Sequence, residues 1–354
     1  MILSELRIHQ VRSVAAAQLQ LNSRFNFIVG ANGSGKTSVL EALYLLSSGH
    51  SFRSREIASI IAHSQEALTV FGRSPDHETI SIKKSRHAPT QIKLNQQFCS
   101  ATSQLAYALP CQIVYADIFQ IIDAGSAQRR SLLDWGMFHV EPSYLTVLKN
   151  YKQVLKQRNA LLKQNASYRL FIPWDEQLSH WAEQLHGMRK KYFELWRNKL
   201  IDILPCLTET CCDLSYYKGW DKKEQQLSLA EVLAEQFSKD KQRQYTHYGA
   251  HHADVIIEAP YWKARQTLSR GQQKIVLIAL KLAQGALINK ECLYLFDDLP
   301  AELDELHQRQ LIQYLLGQSS QYVITSMQPM AAQELIPATE QSHFRLDLGS
   351  VHAV

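Results

Sequence analysis

Within eight residues, Gly30-Ala31-Asn32-Gly33-Ser34-Gly35-Lys36-Thr37, the chain places three glycines, a lysine and a threonine. The spacing is G-x-x-x-x-G-K-[ST], that of a loop whose backbone N–H groups cradle phosphates at a helix N-terminus. Glycine supplies the positive-φ turns and the close approach that a Cβ would block. In this pattern Lys36 reaches the β- and γ-phosphates and the Thr37 hydroxyl holds Mg²⁺. The expected ligands are therefore ATP and Mg²⁺. A chance match in a Gly-rich turn is the competing explanation, and with glycine near 7% of average usage it arises in roughly one chain of this length in a hundred. The flanks reduce that further, because apolar Phe25–Val29 reads as a strand and Ser38–Leu46 as a helix, in the order such a loop requires.

A phosphate loop needs a second element to bring a carboxylate to the metal. Cys292-Leu293-Tyr294-Leu295-Phe296-Asp297-Asp298 is an apolar strand ending in two acids, the pattern of a Walker B strand. Set in the same sheet as Phe25–Val29, it delivers Asp297 to the metal on Thr37, and leaves Asp298 where a base or water-orienting group belongs. Asp298 and Lys36 are the expected catalytic pair. Asp298 is one methylene shorter than the glutamate common at such positions, and no histidine follows the next strand, where Ile324 leads into Thr325-Ser326. Both features predict slow hydrolysis. Between the motifs, Thr267 to Lys274 opens a helical run on a serine, and the turn Ser269-Arg270-Gly271-Gln272 offers a hydroxyl and free N–H groups to an anion, as an ABC-type signature does. An ordinary N-cap is the alternative. Ala301-Glu302-Leu303-Asp304 then matches the loop that crosses to a partner subunit, with Asp304 as its acid. The four elements in this order predict an ATP-sandwich homodimer.

The 354 residues suffice for two domains, or for one large domain with an insertion, and 45% hydrophobic content suffices for a core. No stretch approaches 18 apolar residues and Met1–Ser13 lacks a signal pattern, so a cytoplasmic location is expected. Six scattered cysteines with no C-x-x-C pair favour neither zinc nor disulfides. The net charge of +5 permits a polyanionic partner without demanding one. Long helical patterns from about 128 to 237, broken at Pro142, Pro173 and Pro205, separate strand-rich ends. The expected fold is α/β, an ABC/SMC-type P-loop ATPase head with a mixed β-sheet and a helical insertion lobe. Its parts are 1–135 for the N-terminal head, 136–245 for the lobe and 246–354 for the C-terminal head.

Over nearly its whole length the sequence resembles the RecF family of bacterial recombination-repair ATPases. Beyond the ATPase motifs, the resemblance rests on Ser51-Phe52-Arg53, Arg129-Arg130 with Leu133-Asp134-Trp135, Gln157-Arg158-Asn159-Ala160-Leu161-Leu162, and Leu268 to Lys274. It implies a cytoplasmic protein that binds ATP and DNA, dimerises on ATP, and works with RecO- and RecR-type proteins to load RecA at gapped or stalled sites. It also implies a nucleotide contact for Arg12, although Gln10-Val11-Arg12-Ser13 lacks the customary Asp-Phe pair. Ala116-Asp117 replaces the family's Pro-Glu, and Gly249-Ala250-His251-His252-Ala253-Asp254 replaces Gly-Pro-His-Arg-Asp. His247, His251, His252 and Asp254 offer metal-ligating atoms, but the glycine and the β-leaning Val255-Ile256-Ile257 indicate a loop entering a strand.

For DNA, Lys149, Lys152, Lys156 and Lys163 fall within about 60° on one helical stripe, beside an apolar stripe of Leu148, Tyr151, Leu155 and Leu162. No acid lies between Pro142 and Trp174, so Arg158 and Arg169 are expected to add to an uncompensated field. Lysines lying over an apolar edge would look the same. Arg129 and Arg130 sit in the first turn of an expected helix, where the helix dipole disfavours cations, so a phosphate or carboxylate partner is expected. Two rivals remain. Another SMC/ABC-like head would need hundreds of heptad residues where the chain has about 110 broken by prolines, or a nuclease domain for which no chain remains. A metabolic P-loop kinase would need no Ser269–Gln272 turn.

Overall fold

The computed structural model describes residues 1–116, 121, 125–164, 166–222, 226–259 and 268–354, with 262–263 described as backbone. Asp117 and Thr267, named above, lie outside them. The chain forms two compact units, one of Met1–Ile118, Cys206–Thr208 and Asn289–Val354, the other of Phe119–Pro205 and Glu209–Ile288. So divided, the second unit takes in residues on both sides of 136–245, including those of the Ser269 turn.

The first unit holds two sheets. One is an antiparallel meander of β1 (Glu5–Val11), β2 (Val14–Gln20), β4 (Ala67–Arg73), β5 (Thr79–Ser85), β6 (Gln91–Leu94) and β7 (Gln97–Phe98), in the order β2-β1-β4-β5-β6-β7. The other contains β3 (Phe25–Val29), β8 (Cys111–Val114), β12 (Leu293–Phe296), β13 (Gln321–Ser326), β14 (Gln341–Asp347) and β15 (Ser350–Ala353), ordered β15-β14-β3-β13-β12-β8. All its pairings are parallel except β14 with β15. Strands buried on both faces read as continuous apolar runs rather than alternations, and every residue of β12 and β13 is buried. Helix α1 (Lys36–Ser48) is seated in this core. Its Val39, Leu40, Leu43 and Leu46 share one apolar cluster with Leu6 and Val70 of the meander and Ile28, Leu295 and Val323 of the parallel sheet.

The strands that carry the two motifs are not neighbours, because β13 lies between them. Its register puts Phe296 opposite Ile324 and Ile324 opposite Phe27, so β3 and β12 end at the same edge of the sheet.

The second unit combines the helices Ser126–Val140, Tyr144–Lys163, Ile172–Leu207 (as far as Pro205), Leu229–Arg243 and Arg270–Gly285 with a sheet of β9 (Asp213–Tyr217), β10 (Asp254–Ala259) and β11 (Trp262–Lys263). Pro142 separates two helices. Pro173 and Pro205 instead occupy the first and last turns of one 36-residue helix, and the first turn tolerates proline because its N–H lacks an intrahelical partner anyway. β9 interrupts a region whose pattern reads as helical. The Ser-Tyr-Tyr run is its sequence signal, since aromatics favour strands. Asp254 enters β10 directly from a single turn of 3₁₀ helix, Ala250–His252.

The helix Tyr144–Lys163 buries Tyr144, Val147, Tyr151, Val154, Arg158 and Leu162, a stripe rotated from the expected one. Leu148 and Leu155 are only half-buried. Arg158 does not add to a surface field. It is fully buried, its Nε donating to Asp175 (2.6 Å) and its Nη1 to Asp240 (2.8 Å) and the Thr246 hydroxyl (2.7 Å). Asp175 stands one residue past the acid-free stretch, and Arg158 lies on the apolar repeat itself. Two carboxylates offset the desolvation of the guanidinium.

In the same unit His251 is half-buried. Its Nε2 lies 3.0 Å from the Thr246 carbonyl and so donates to it, which leaves Nδ1 to accept from the Tyr151 hydroxyl at 2.6 Å. Burial pushes the imidazole down to about 4. A folded value below the free histidine's means that the unfolded chain takes up the proton first as pH falls. The stability contribution is therefore complete above about pH 6.5 and is lost toward pH 4, at up to about 1.4 kcal/mol per pH unit. Urea midpoints at pH 7.5 and pH 5 should fall more for the natural protein than for His251→Gln. Equal falls would contradict this.

Candidate functional site

The loop from β3 to α1 is built on glycine where nothing else fits. Gly33 (φ 78°) and Gly35 (φ 110°) are left-handed, and a Cβ on Gly30 would sit 2.5 Å from the Leu346 carbonyl oxygen and 2.7 Å from Ser34 Oγ. Helix α1 starts on Gly35 with no side-chain cap, so its first N–H groups keep no intrahelical partner. Lys36 folds back over the loop, Nζ donating to the carbonyls of Gly30 (2.7 Å) and Ala31 (3.0 Å). Ser34 Oγ is buried without a partner.

Across the sheet edge, the Thr37 hydroxyl donates to the Asp297 carboxylate at 3.0–3.1 Å. Thr325, at the end of β13, donates to the same carboxylate (3.0 Å) and accepts the Asp298 N–H (2.8 Å). Burial raises the Asp297 carboxyl above its ordinary value, while hydrogen bonds from Thr325 and Thr37 and the charge of Arg53 oppose that shift. Asp298 is left-handed (φ 49°) and precedes the short helix Leu299–Glu302 without a side-chain cap hydrogen bond, a strained backbone of the kind that clusters at functional sites. Lys36, Thr37, Asp297 and Asp298 open on one cleft of about 530 Å³, together with Asn32, Gly33, Gly35, Arg12 and Arg53. Phosphate fits this donor-rich loop, and the hydroxyl–carboxylate pair is the oxygen-only set that magnesium shares with substrate phosphates.

The other sequence-derived residues lie elsewhere. Asp304 caps the helix Glu305–Leu316, accepting the His307 N–H at 2.9 Å, and is exposed. In the second unit Ser269 caps the helix Arg270–Gly285. Its Oγ accepts from the Gln272 N–H (3.2 Å) while the Gln272 amide oxygen accepts from the Ser269 N–H (2.9 Å), and Ser269, Arg270 and Gly271 are exposed. Lys149, Lys152, Lys156 and Lys163 are all exposed. Arg129 is engaged within its unit, Nε and Nη2 each 2.8 Å from the Asp254 carboxylate, and Arg130 donates to Ser126 Oγ (2.9 Å) and the Ala253 carbonyl (2.8 Å). Asp254 is thus the carboxylate partner expected for this helix start. His247, His251 and His252 meet ring to ring, and among the described residues no group of three His, Cys, Asp or Glu side chains is placed to hold a metal. Sequence reading missed Thr325 and gave Arg53 no role. A hydroxyl ending an apolar strand was the available signal for Thr325.

The chain matches the RecF/RecN/SMC N terminal domain family over residues 2–342 and belongs to it. Within that family it is 38% identical over 340 residues to the DNA replication and repair protein RecF of Vibrio cholerae, covering 92% of this chain and 93% of that one. To RecF of Francisella tularensis subsp. tularensis it is 36% identical over 343 residues, covering 95% and 97%. These relatives place it among the RecF proteins. The fold is shared with a solved structure of the recombination mediator protein RecF with ATP in the RecFOR pathway (TM-score 0.84, 24% identity, 100% and 97% covered). It is shared also with an Smc head bound to the C-winged helix domain of ScpA (TM-score 0.62, 16% identity, 100% and 97% covered). Among the described residues no helix is long and apolar enough to cross a membrane.

A Cβ at Gly30 forces a backbone shift, so Gly30→Ala should cost about 1–3 kcal/mol of stability. At Gly187, inside a helix, a Cβ meets nothing within 4 Å, and Gly187→Ala should stabilise by about 0.5–1 kcal/mol. Urea unfolding of both variants checks the opposite signs.

Proposed function

We propose that this protein is an ATP-gated DNA-binding protein of recombinational repair and replication, in which ATP and Mg²⁺ occupy the cleft at the N-terminus of α1 and join two chains. The observation that carries this reading is the contact of Thr37 with Asp297, 260 residues apart in sequence and 3.0–3.1 Å apart in space. Lys36 would leave the Gly30 and Ala31 carbonyls for the phosphates. Thr37 and Asp297 would hold magnesium, which when bound neutralises charge on the phosphate oxygens. Asp298 orients the attacking water, and its short arm makes hydrolysis slower than the enzyme median of about 10 per second. Hydrolysis then serves as a switch.

In the dimer, the Ser269, Arg270, Gly271 and Gln272 turn of one chain faces the nucleotide of the other, and the Asp304 loop crosses at the same interface. Exposure of Ser269 and Asp304 supports this. The exposed Lys149, Lys152, Lys156 and Lys163 would contact DNA phosphates, a sequence-independent attraction. Arg12 is a further nucleotide contact. DNA replication and repair, named for the relatives, and the RecFOR pathway, named for a solved structure of shared fold, support action beside RecR- and RecO-type proteins; the reading extends this to the loading of RecA at gapped DNA, in the cytoplasm and within the response to DNA damage.

Mixing Lys36→Met with Ser269→Arg tests the reading. Neither variant forms a complete site with itself, whereas a mixed dimer holds one. An equal mixture should recover up to about a quarter of natural ATPase activity, because half the dimers are mixed and each has one site of two. A mixture as inactive as its components, with heterodimers demonstrably formed, would sink the shared site.

A further inference from the structure

Inside α1, one turn beyond Thr37, stands Glu41, a carboxylate with no exposed surface. Its two oxygens accept from Arg12, through Nε and through Nη2 at 2.9 Å, and from the Ser51 hydroxyl. Arg12 is held further by its Nη1, which donates to the Ser59 carbonyl at 3.0 Å. Its backbone is left-handed (φ 50°), an unfavourable conformation for arginine that the surroundings must impose. Ser51 Oγ in turn accepts the N–H groups of Arg53 (2.9 Å) and Ser54 (3.1 Å). Both arginines line the phosphate cleft, and the charge of Arg53 is felt at Asp297.

We propose that Glu41 is a positioning residue that fixes the two cleft arginines, Arg12 directly and Arg53 through Ser51, for contact with the nucleotide's phosphates. The proposal rests on the nucleotide reading above. Three of the five guanidinium N–H groups of Arg12 are spent on Glu41 and Ser59, which locks the fork and leaves two for a ligand. A side chain already locked loses little rotamer freedom on binding, so its contact with an anion is retained in full. Glu41 therefore does for the cleft what a second carboxylate does for a metal-binding histidine: it touches no ligand and sets the geometry of the residue that does.

Calorimetric titration with Mg-ATP, alongside thermal unfolding, tests this. Glu41→Gln, which keeps an acceptor oxygen for Ser51, and Arg12→Ala should each weaken binding about tenfold, and the double variant should bind no more weakly than Arg12→Ala alone. Additive losses, or an unchanged affinity with only a lowered unfolding temperature, would overturn the proposal. If Glu41→Gln does not fold, Ser51→Ala keeps the Glu41–Arg12 pair. It should then weaken binding about threefold and add nothing to Arg53→Ala, and an unchanged affinity overturns the proposal. Lys36→Met separates the two claims. Binding that survives it overturns the nucleotide reading and this proposal with it, whereas binding lost in Lys36→Met but unchanged in Glu41→Gln overturns the positioning role alone.

Discussion

Parallel pairing of β3 and β12 with β13 is the constraint on which the rest of the molecule depends. Neither motif has a site of its own. The glycine loop supplies N–H donors and a lysine, and the distant strand supplies carboxylates. Only the shared register on β13 ends both strands at one edge, within hydrogen-bond reach of each other and of Thr325. Parallel strands need a crossover connection, and here the chain between β3 and β12 contains four strands of the meander, β4 to β7, and all of the second unit. A sheet buried on both faces resists slippage, since a one-residue slip would turn each side chain to the opposite face.

Around that edge the protein keeps polar groups buried and oriented. Lys36, Glu41 and Ser34 are all buried in or beside the first turns of α1, a place where desolvated charge must be matched. Lys36 is matched by loop carbonyls and Glu41 by Arg12 and Ser51. Ser34 Oγ is not matched, and it lies in the glycine loop that leads into α1. The left-handed Asp298 and Arg12 face the same cleft. Strain and an unmet hydroxyl thus converge on one place, while the apolar cluster beneath it is closely buried. The second unit solves a different problem, burying Arg158 and Arg189 on carboxylates and backbone carbonyls between its helices.

How much of this was legible in the sequence follows from how local each feature is. The glycine loop, its flanking strand and helix, and the acidic strand end are contiguous patterns, and the structure forms each of them. The cap at Ser269 was equally readable, because capping depends on four consecutive residues. The partners of Asp297 and Glu41 were not. Thr325 offered a hydroxyl at a strand end, and Ser51 and Arg53 a run that resembles the RecF family, but neither signal names a partner, because these residues meet their partners only through tertiary packing. Arg158 was misread for a related reason. Net charge along a segment says nothing about which face of the helix a residue occupies, and the position of Arg158 on the apolar repeat Val147, Tyr151, Val154, Leu162 was the better guide. β9 escaped notice because five residues between long helices give periodicity too little to work with.

Asp297 is the proposed metal carboxylate of the proposed nucleotide cleft. Calorimetric titration of ATP into the natural protein and into Asp297→Asn, each with magnesium and with a chelator, measures that claim directly. In the natural protein magnesium should tighten ATP binding by about tenfold or more. Asp297→Asn, which keeps the size of the side chain and an acceptor for Thr37, should bind chelated ATP as before and gain no more than about twofold from magnesium. The same magnesium dependence in both proteins would show that the carboxylate holds no metal and that the cleft works by other means.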